Sequence, residues 1–267
     1  MHNSSATQGI QSVGLTLRVL EALAASPFQQ GASELARSLD ISKWRLHRHI
    51  HTLRELGYVI QDAETGKFEL GTVFYNLTKA IPPRFRFMEF ARPAMAALHG
   101  EIRHTVVAAV LVNDKMVLLD SVPDAGQGGL DIARGKPHDL HASAHGKVAL
   151  AFGPPPLLED VVQAPLRRYT AQTITDPARL QRVIAQVRIR GWASAFEEGP
   201  RSGINTIAAP LIGPDQAFLG SIGFIVPGRA RAVRPKVHET EIEALKASAE
   251  RISGELRSAL PQAGRGV

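Results

Sequence analysis

Apolar residues at helical spacing mark residues 41–56, where the polar positions are mostly basic. Leu46, Ile50 and Leu53 recur at i, i+4 and i+7 and form a narrow apolar stripe. The remaining faces carry lysine, arginine and histidine side chains and a single acid at the far end. Ser42 precedes the stripe and can cap the helix, because its hydroxyl accepts an unpaired backbone N–H of the first turn. The pattern therefore predicts a helix that buries one face and offers cations on the other.

The patterns on either side place this helix in a larger unit. Upstream, residues 31–40 form a short helical pattern, with Ser33 as its predicted cap. Downstream, residues 57–62 and 67–70 predict two strands joined by a tight turn. Helix, turn, basic helix and hairpin in this order predict a winged helix-turn-helix, whose second helix enters the DNA major groove. A solvated basic helix without a nucleic-acid partner is the alternative interpretation.

Six positions in this helix and one beside the hairpin turn are candidates for contact with double-stranded DNA. Cations neutralise phosphates, and lysine, arginine and histidine can also reach base edges in the groove. Trp44 either packs on the DNA backbone or a thymine methyl, or it fills core between helices. The predicted contacts are Ser42, Lys43, Trp44, Arg45, His47, Arg48 and Lys67, of which Arg45 and Lys67 are expected at phosphates.

Beyond residue 71 the pattern predicts a linker helix and then a larger domain. Apolar positions at helical spacing continue to a double proline at 82–83, which ends that helix. Strands come first, then helices, further strands and a closing helix, an order that predicts an α+β domain on a mainly antiparallel sheet. The predicted strands cover 105–111, 116–122, 127–133, 192–196, 206–212 and 217–226, and residues 134–139 are predicted as a loop.

Composition sets outer limits on the function. The chain has 267 residues, of which 44% are hydrophobic, so a packed core is expected. The net charge of +6 permits contact with nucleic acid without requiring it. The absence of cysteine excludes disulfides and thiol catalysis and suits a reducing cytoplasm. We see no signal peptide, and no apolar run approaches the ~18 to 20 residues that span a bilayer.

Recognisable catalytic motifs are absent from the sequence. It holds no Gly-x-Ser-x-Gly elbow, no His-Glu-x-x-His and no phosphate-binding loop. We therefore predict that the protein is not an enzyme and carries no cofactor. His138, His141 and His145 have the spacing of metal ligands, but His138 follows a proline and is expected outside the helix. We predict no metal, and a metal-sensing or hydrolase-like domain tethered to DNA remains the alternative.

Five stretches in order along the chain carry a specific resemblance. They read SVGLTLRVLE at 12–21, LRELGYV at 53–59, LHASAHGK at 140–147, YTAQTIT at 169–175 and GINTIAAP at 203–210. In this order they resemble the IclR family of bacterial transcriptional regulators. The resemblance implies an α+β protein: an N-terminal winged helix-turn-helix joined by a linker helix to a GAF-like or PAS-like effector-binding domain with an antiparallel sheet.

The resemblance also implies how such a protein works. A small-molecule effector would control binding to a pseudo-palindromic operator, and a homodimer or a dimer of dimers would double the contacts that one recognition helix makes. A ligand-free architectural DNA binder remains a further alternative. The predicted division is a tail at 1–11, the DNA-binding domain at 12–71, the linker helix at 72–90, the effector domain at 91–261 and a tail at 262–267.

The effector site follows from the same resemblance. Backbone N–H groups would come from Ala144 and His145, and polar side chains would come from Asn205 and Thr206. Positions where the family often has an aspartate and two serines carry Phe196, Gly223 and Ile225, so we expect a less polar pocket. Because burying a small carboxylate without enough donors is unfavourable, we predict a larger ligand, aromatic with one acidic or hydroxyl group. The predicted contacts are Leu130, Ala144, His145, Trp192, Phe196, Ile204, Asn205, Thr206 and Phe224, and core packing is the alternative for Trp192, Phe196 and Phe224.

Overall fold

The computed structural model describes residues 10–26, 28–80, 87–124, 135, 137–201, 203–228 and 237–259. Within these limits the chain divides into two units, Met1–Ile81 and Pro82–Val267. Several predicted features lie outside the described residues: the strand at 127–133 with Leu130, the double proline at 82–83, the tail at 262–267 and residues 1–9 of the N-terminal tail.

The first unit confirms the predicted winged helix-turn-helix. Its elements are α1 (Gln11–Ala25), α2 (Ala32–Ser38), α3 (Lys43–Glu55), β1 (Val59–Gln61), β2 (Phe68–Leu70) and α4 (Val73–Lys79). The apolar stripe of α3, Leu46, Ile50 and Leu53, is buried against α1 and α2. Strands β1 and β2 pair antiparallel to form the wing. The core of this unit is therefore built by the periodicity that the sequence displays.

The helix caps agree with prediction in one case and differ in the other. Ser42 caps α3, since its hydroxyl oxygen accepts from the Arg45 amide at 3.3 Å. The prediction of Ser33 as the cap of α2 is wrong, because α2 begins at Ala32 with Gly31 as its N-cap, and Ser33 lies inside the first turn. There the Glu34 carboxylate accepts from the Gly31 amide at 3.1 Å and supplies half of a capping box.

The second unit is an α+β domain on an antiparallel sheet, as predicted. Its elements are α5 (Phe87–Ile102), β3 (Thr105–Val112), β4 (Lys115–Val122), β5 (Pro137–His138), α6 (Ala144–Phe152), α7 (Pro156–Gln163), α8 (Pro177–Arg190), β6 (Ala193–Phe196), β7 (Ile204–Ile212), β8 (Phe218–Pro227) and α9 (Glu239–Ala259). Among the described residues the strand order is β5-β4-β3-β8-β7-β6, and every neighbouring pair is antiparallel. Residues 137 and 138, predicted as loop, instead pair with β4 as a short edge strand.

Each face of this sheet packs against its own pair of helices. Helices α5 and α9 cover one face, which we call the α5/α9 face, and residues such as Val106, Ile207 and Phe224 point towards it. Helices α6 and α8 lie over the other, the α6/α8 face, which includes Ala109 and Ala208. Successive side chains of a strand point to opposite faces. Strand position therefore decides which residues can share a site.

The predicted linker helix at 72–90 covers α4 and the beginning of α5. Helix α4 has no buried side chain among its seven residues, whereas α5 is amphipathic and buries Phe87, Ala91 and Met95 along one side. No helix in the described part of the chain is long and apolar enough to cross a membrane.

Candidate DNA-binding and ligand-binding sites

Helix α3 turns its basic side outward. Ser42, Lys43, Trp44, Arg45, His47 and Arg48 are all exposed, and none of them belongs to the apolar stripe. The five predicted contacts in α3 and its N-cap, Ser42, therefore share the accessible surface of this helix. Such a surface can place cations near phosphates and donors near base edges.

Trp44 and Arg48 form a pair on this surface. The Arg48 guanidinium carbon lies 5.1 Å from the centroid of the Trp44 ring, a cation–π arrangement one helical turn apart. The indole is 70% exposed, so the alternative in which Trp44 fills core between helices does not hold. The stacked ring limits the conformations open to the Arg48 side chain.

The remaining histidines of α3 are differently placed. His49 turns towards α1, where its Nδ1 lies 2.8 Å from the Thr16 hydroxyl. Partial burial, together with the charges of Arg45 and Arg48, lowers the pKa of His49. His51 is exposed and lies 3.5 Å from Glu55, one turn further along. The geometry of His49 therefore suits a contact between helices.

The turn of the wing is fixed by hydrogen bonds, and a lysine follows it. The Asp62 carboxylate accepts from the amides of Glu64 and Thr65 at 3.1 and 2.7 Å, and from the Thr65 hydroxyl at 2.8 Å. The hydrogen bonds from Thr65 lower the pKa of Asp62 and outweigh the opposing effect of desolvation. Lys67 follows this turn and is exposed. The hydrogen-bonded turn thus fixes the backbone that leads into Lys67.

The second unit contains a cavity of about 180 Å³ on the α6/α8 face of the sheet. Its walls are largely apolar and come from strands β3 to β8, from α6 and from neighbouring loops. The apolar lining is Val107, Met116, Leu118, Pro137, Ala142, Ala195, Pro200, Ile204 and Ile225. The polar lining is His138, Asp139, Ser143, His145, Tyr169, Arg201 and Thr206, and Gly199 completes the wall.

Both histidines of the lining, His138 and His145, have a buried ring nitrogen without a hydrogen-bond partner among the described residues. His145 is 4% exposed, with Nδ1 2.8 Å from the Ser221 hydroxyl, and its buried Nε2 has no hydrogen-bond partner among the described residues. The same holds for Nε2 of His138. Burial lowers the pKa of His145 to about 3, and the electrostatic interaction with His138 adds to this effect. Burial also lowers the pKa of His138, assisted by Arg201 and opposed by Asp139.

A network of polar groups holds one side of the cavity. Asp139 accepts hydrogen bonds from the Lys115 ammonium and from the Tyr169 hydroxyl. Burial acts to raise the pKa of Asp139, but these two hydrogen bonds and the Lys115 charge outweigh it and lower the pKa. The Tyr169 ring is in turn stacked with His141, with centroids 6.3 Å apart. Asp139 is therefore ionised and satisfied by protein groups.

The three histidines do not form a metal site. His141 directs Nε2 to the Arg167 carbonyl oxygen, 2.9 Å away, whereas His138 and His145 line the cavity. Across the described residues, no group of three or more histidine, aspartate or glutamate side chains is arranged to hold a metal ion. His141 is therefore engaged away from the cavity that His138 and His145 line, and the three residues are not grouped as one set of ligands.

The predicted effector residues divide between the two faces of the sheet. His145, Ile204 and Thr206 line the cavity. The Ala144 N–H donates to the Thr206 hydroxyl at 3.4 Å, so that donor is already engaged. Asn205 is fully buried, with its amide bonded to the Glu197 N–H at 3.1 Å and the Val226 carbonyl at 3.2 Å. Since Asn205 lies between Ile204 and Thr206 on β7, it points away from the cavity they share.

The three aromatic residues predicted to contact the effector are not among the cavity-lining residues. Phe224 is fully buried on the α5/α9 face and stacks on His104 at 5.4 Å. Phe196 and Trp192 pack against the same core, and the Arg190 guanidinium lies 3.9 Å from the centroid of the Trp192 ring. For these residues the alternative of core packing is correct, because strand alternation directs Phe196 and Phe224 to the face opposite the cavity.

Several lining residues escaped the sequence reasoning. Val107 and Met116 lie within strands whose apolar runs gave no sign of which face each residue joins, whereas Ile225 was recognised only as a position where the family often has a serine. Tyr169 lies in a motif that marked the family resemblance, and His138 drew attention only as a metal-ligand candidate. The family motif and the histidine spacing were the signals in the sequence that could have identified Tyr169 and His138.

A buried ion pair supports the loop that closes one side of the cavity. Lys147 is 2% exposed and donates to both carboxylate oxygens of Glu198 at 2.7 Å and to the Ser194 carbonyl at 3.0 Å. Burial lowers the pKa of Lys147, and its pairing with Glu198 opposes this effect. Glu198 directly precedes three lining residues, 199–201. The ion pair therefore positions this wall of the cavity.

Two family models match the chain. Residues 84–254 match the model described as bacterial transcriptional regulator IclR C-terminal, and residues 12–63 match the IclR helix-turn-helix domain. The HTH-type transcriptional regulator BhcR of Paracoccus denitrificans is 30% identical over 221 residues, which cover 82% of this chain and 78% of BhcR. The glycerol operon regulatory protein of Streptomyces griseus is 28% identical over 222 residues, which cover 82% of this chain and 86% of that protein.

Solved structures share the fold. IclR of Thermotoga maritima superimposes with a TM-score of 0.68 at 24% identity, covering 93% of this chain and 100% of that one. An IclR homologue of Microbacterium hydrocarbonoxydans, complexed with 4-hydroxybenzoate, gives the same TM-score, identity and coverage. At this level of identity the likeness concerns the fold.

Proposed function

The chain belongs to the IclR family of bacterial transcriptional regulators, and we propose that it controls an operon for catabolism of an aromatic or other partly apolar organic acid. It is a ligand-responsive regulator with a DNA-binding and an effector-binding domain. The observation that carries the finer proposal is the cavity on the α6/α8 face, with its aliphatic walls and two unpaired histidine nitrogens.

The size and lining of the cavity favour an aromatic ligand. A closed apolar cavity of about 150 Å³ is sufficient to bind benzene. The cavity here is about 180 Å³, and Val107, Met116, Leu118 and Ile225 would bury the faces of a ring. A small keto acid or dicarboxylate would leave these apolar walls without a ligand surface to cover. One relative with this fold is a complex with an aromatic acid, 4-hydroxybenzoate, which supports the same ligand class.

On the DNA side we propose that α3 lies in the major groove and the wing contacts the backbone. Arg48 and His47 are the proposed base contacts, Arg45 and Lys67 the proposed phosphate contacts. Ser42, Lys43 and Trp44 complete the proposed interface. We further propose a homodimer or dimer of dimers on a pseudo-palindromic operator in the cytoplasm, because one helix reads only a few base pairs.

The ligand acts through the populations of two states. An effector shifts DNA affinity only by its differential affinity for the DNA-competent and DNA-incompetent states. We propose binding, with no catalytic step, as the role of the cavity.

A ligand screen followed by a DNA-binding assay tests this function. Benzoate, 4-hydroxybenzoate and phenylacetate are compared with glyoxylate and pyruvate for their effect on the thermal midpoint of the full chain. A ligand at 100 times its Kd stabilises the folded state by about 2.7 kcal/mol, a shift that is easily measured. Binding to the protein's own promoter is then measured by fluorescence anisotropy with and without each acid. Stabilisation by glyoxylate or pyruvate but by no aromatic acid would show the ligand class to be wrong.

A further inference from the structure

The basic side of α3 carries one large aromatic side chain, Trp44, which lies beside a single cation. The indole is 70% exposed and precedes Arg48 by one helical turn. Because helical side chains lean towards the N-terminus of their helix, Arg48 reaches back over the ring, and its guanidinium carbon lies 5.1 Å from the ring centroid. The pair lies in the first half of α3, the part of a recognition helix that contacts base edges in helix-turn-helix proteins.

The Arg48 guanidinium has no competing partner in the described part of the chain. It forms no ion pair with a described carboxylate and donates no hydrogen bond to another described residue. The one acid of α3, Glu55, lies two turns further along and 3.5 Å from His51. The contact with the indole is therefore what orients the guanidinium before DNA binds.

A guanidinium above a ring still has its donors available. The five N–H groups lie in the plane of the guanidinium, so a ring on one side of that plane does not block them. They match the O6 and N7 acceptors of guanine, which an arginine contacts through two hydrogen bonds in the major groove. Adenine presents a donor in place of O6, so the same group discriminates against an A·T pair.

The ring also reduces the cost of ordering Arg48 on DNA. A solvated arginine side chain has many conformations, and fixing one of them on a base opposes binding. A cation–π contact that already exists in the free protein removes part of this cost. The benefit appears only where the guanidinium meets a base that it can read.

We propose, on the basis of the DNA-binding function proposed above, that Trp44 is a positioning residue that sets base specificity through Arg48. The indole holds the guanidinium so that it reads the guanine of one G·C pair for each α3 bound. Trp44 thus contributes to the choice of base, whereas the sequence-independent attraction to phosphates comes from the cations.

The first test is selection of preferred sites from a random duplex library by the full-length chain. We expect the wild type to select one G·C pair that Arg48→Ala no longer selects. Trp44→Leu should lose its preference at the same pair, and Trp44→Phe, which keeps an aromatic face, should retain most of it. Tyr75→Leu is the matched control, because Tyr75 is also exposed and its ring centroid lies 4.5 Å from the Lys79 ammonium on α4, outside α3. Its selected sites should equal those of the wild type.

The second test is a double-mutant cycle, measured by fluorescence anisotropy on the selected duplex. Trp44→Leu should weaken binding about two- to fivefold, the loss expected for an exposed cation–π contact. In an Arg48→Ala background the same change should have no effect, because no guanidinium is left to orient. On a duplex with A·T in place of the G·C pair, Trp44→Leu and the wild type should bind equally. The salt dependence of binding should also be the same for both, since no charge is removed.

Contrary results are distinct from one another. If Trp44→Leu keeps the guanine preference, loses preference at a different base pair, or weakens binding equally with and without Arg48, the ring does not act through Arg48 and the proposal is overturned. A lowered thermal midpoint of Trp44→Leu would indicate a structural role and would overturn it as well. If the wild type binds duplexes but selects no G·C pair that depends on Arg48, guanine reading fails while DNA binding stands. If the wild type shows no salt-sensitive affinity for any duplex, the proposed DNA-binding function fails too.

Discussion

Replacing Lys147 by methionine should destabilise the effector-binding domain strongly, although methionine has a similar length. The substitution leaves Glu198, which is 11% exposed, without its cation, and it removes the donor to the Ser194 carbonyl. Breaking a buried ion pair from one side costs about 3 to 5 kcal/mol. Because Glu198 has some access to water, we expect the lower end, about 3 kcal/mol.

The double variant separates charge from packing. With Glu198→Leu added to Lys147→Met, no uncompensated charge remains, and stability should return to within about 1 kcal/mol of the wild type. The two substitutions are thus expected to be strongly non-additive. Lys246→Met provides the control, since Lys246 pairs with Glu243 on the surface and the loss should stay below about 0.5 kcal/mol.

Urea denaturation followed by tryptophan fluorescence measures these differences. The chain has two tryptophans, so in a Trp44→Phe background Trp192 reports on the effector-binding domain alone. With a slope of about 2 kcal/mol per molar urea, a loss of about 3 kcal/mol lowers the midpoint by about 1.5 M. A single Lys147→Met variant within about 0.5 kcal/mol of the wild type would refute the reasoning, as would a double variant no more stable than the single one.

Three further predictions follow from other parts of the molecule. Burial lowers the pKa of His145 from 6.5 to about 3, so between these pH values the unfolded chain binds a proton that the folded chain does not. The free energy of unfolding should therefore fall by about 2 kcal/mol from pH 7 to pH 5. In urea titrations the His145→Gln variant should lose this pH dependence. Gly146→Ala should destabilise the domain by about 1 to 3 kcal/mol or more, because the added Cβ would lie 2.2 Å from the Leu140 carbonyl oxygen. Gly100→Ala is the control in the same thermal scan: its Cβ would meet no atom within 4 Å, so the change should be neutral or stabilising. Arg48→Ala should weaken operator binding by about 1 to 3 kcal/mol and relax base preference, and a gel-shift series with unchanged affinity would remove Arg48 from the interface.

The DNA-binding unit could be predicted from the sequence because its structure depends on local contacts. The helical stripe of Leu46, Ile50 and Leu53 needs only the 3.6-residue period to identify the buried side. Ser42 caps the helix through a bond to a residue three positions away. The hairpin between β1 and β2 also joins near neighbours. Contacts between residues this close along the chain can be predicted from the sequence.

The cavity could be predicted only in part. His145, Ile204 and Thr206 were identified through the family resemblance, but Phe196 and Phe224 were assigned to a site on the wrong face of the sheet. Whether a residue of a strand buried on both faces points to one helix layer or the other cannot be read from an apolar run.

By itself, then, the sequence determined the winged helix-turn-helix, its exposed basic helix and most of the described elements of the second unit, through interactions within a few residues. Only the tertiary structure decided which strand residues share a face and that two histidine nitrogens remain unpaired beside one cavity. The physical reason is register: pairing of β3 with β8 joins residues more than a hundred positions apart, and a shift by one residue would turn every side chain to the other face.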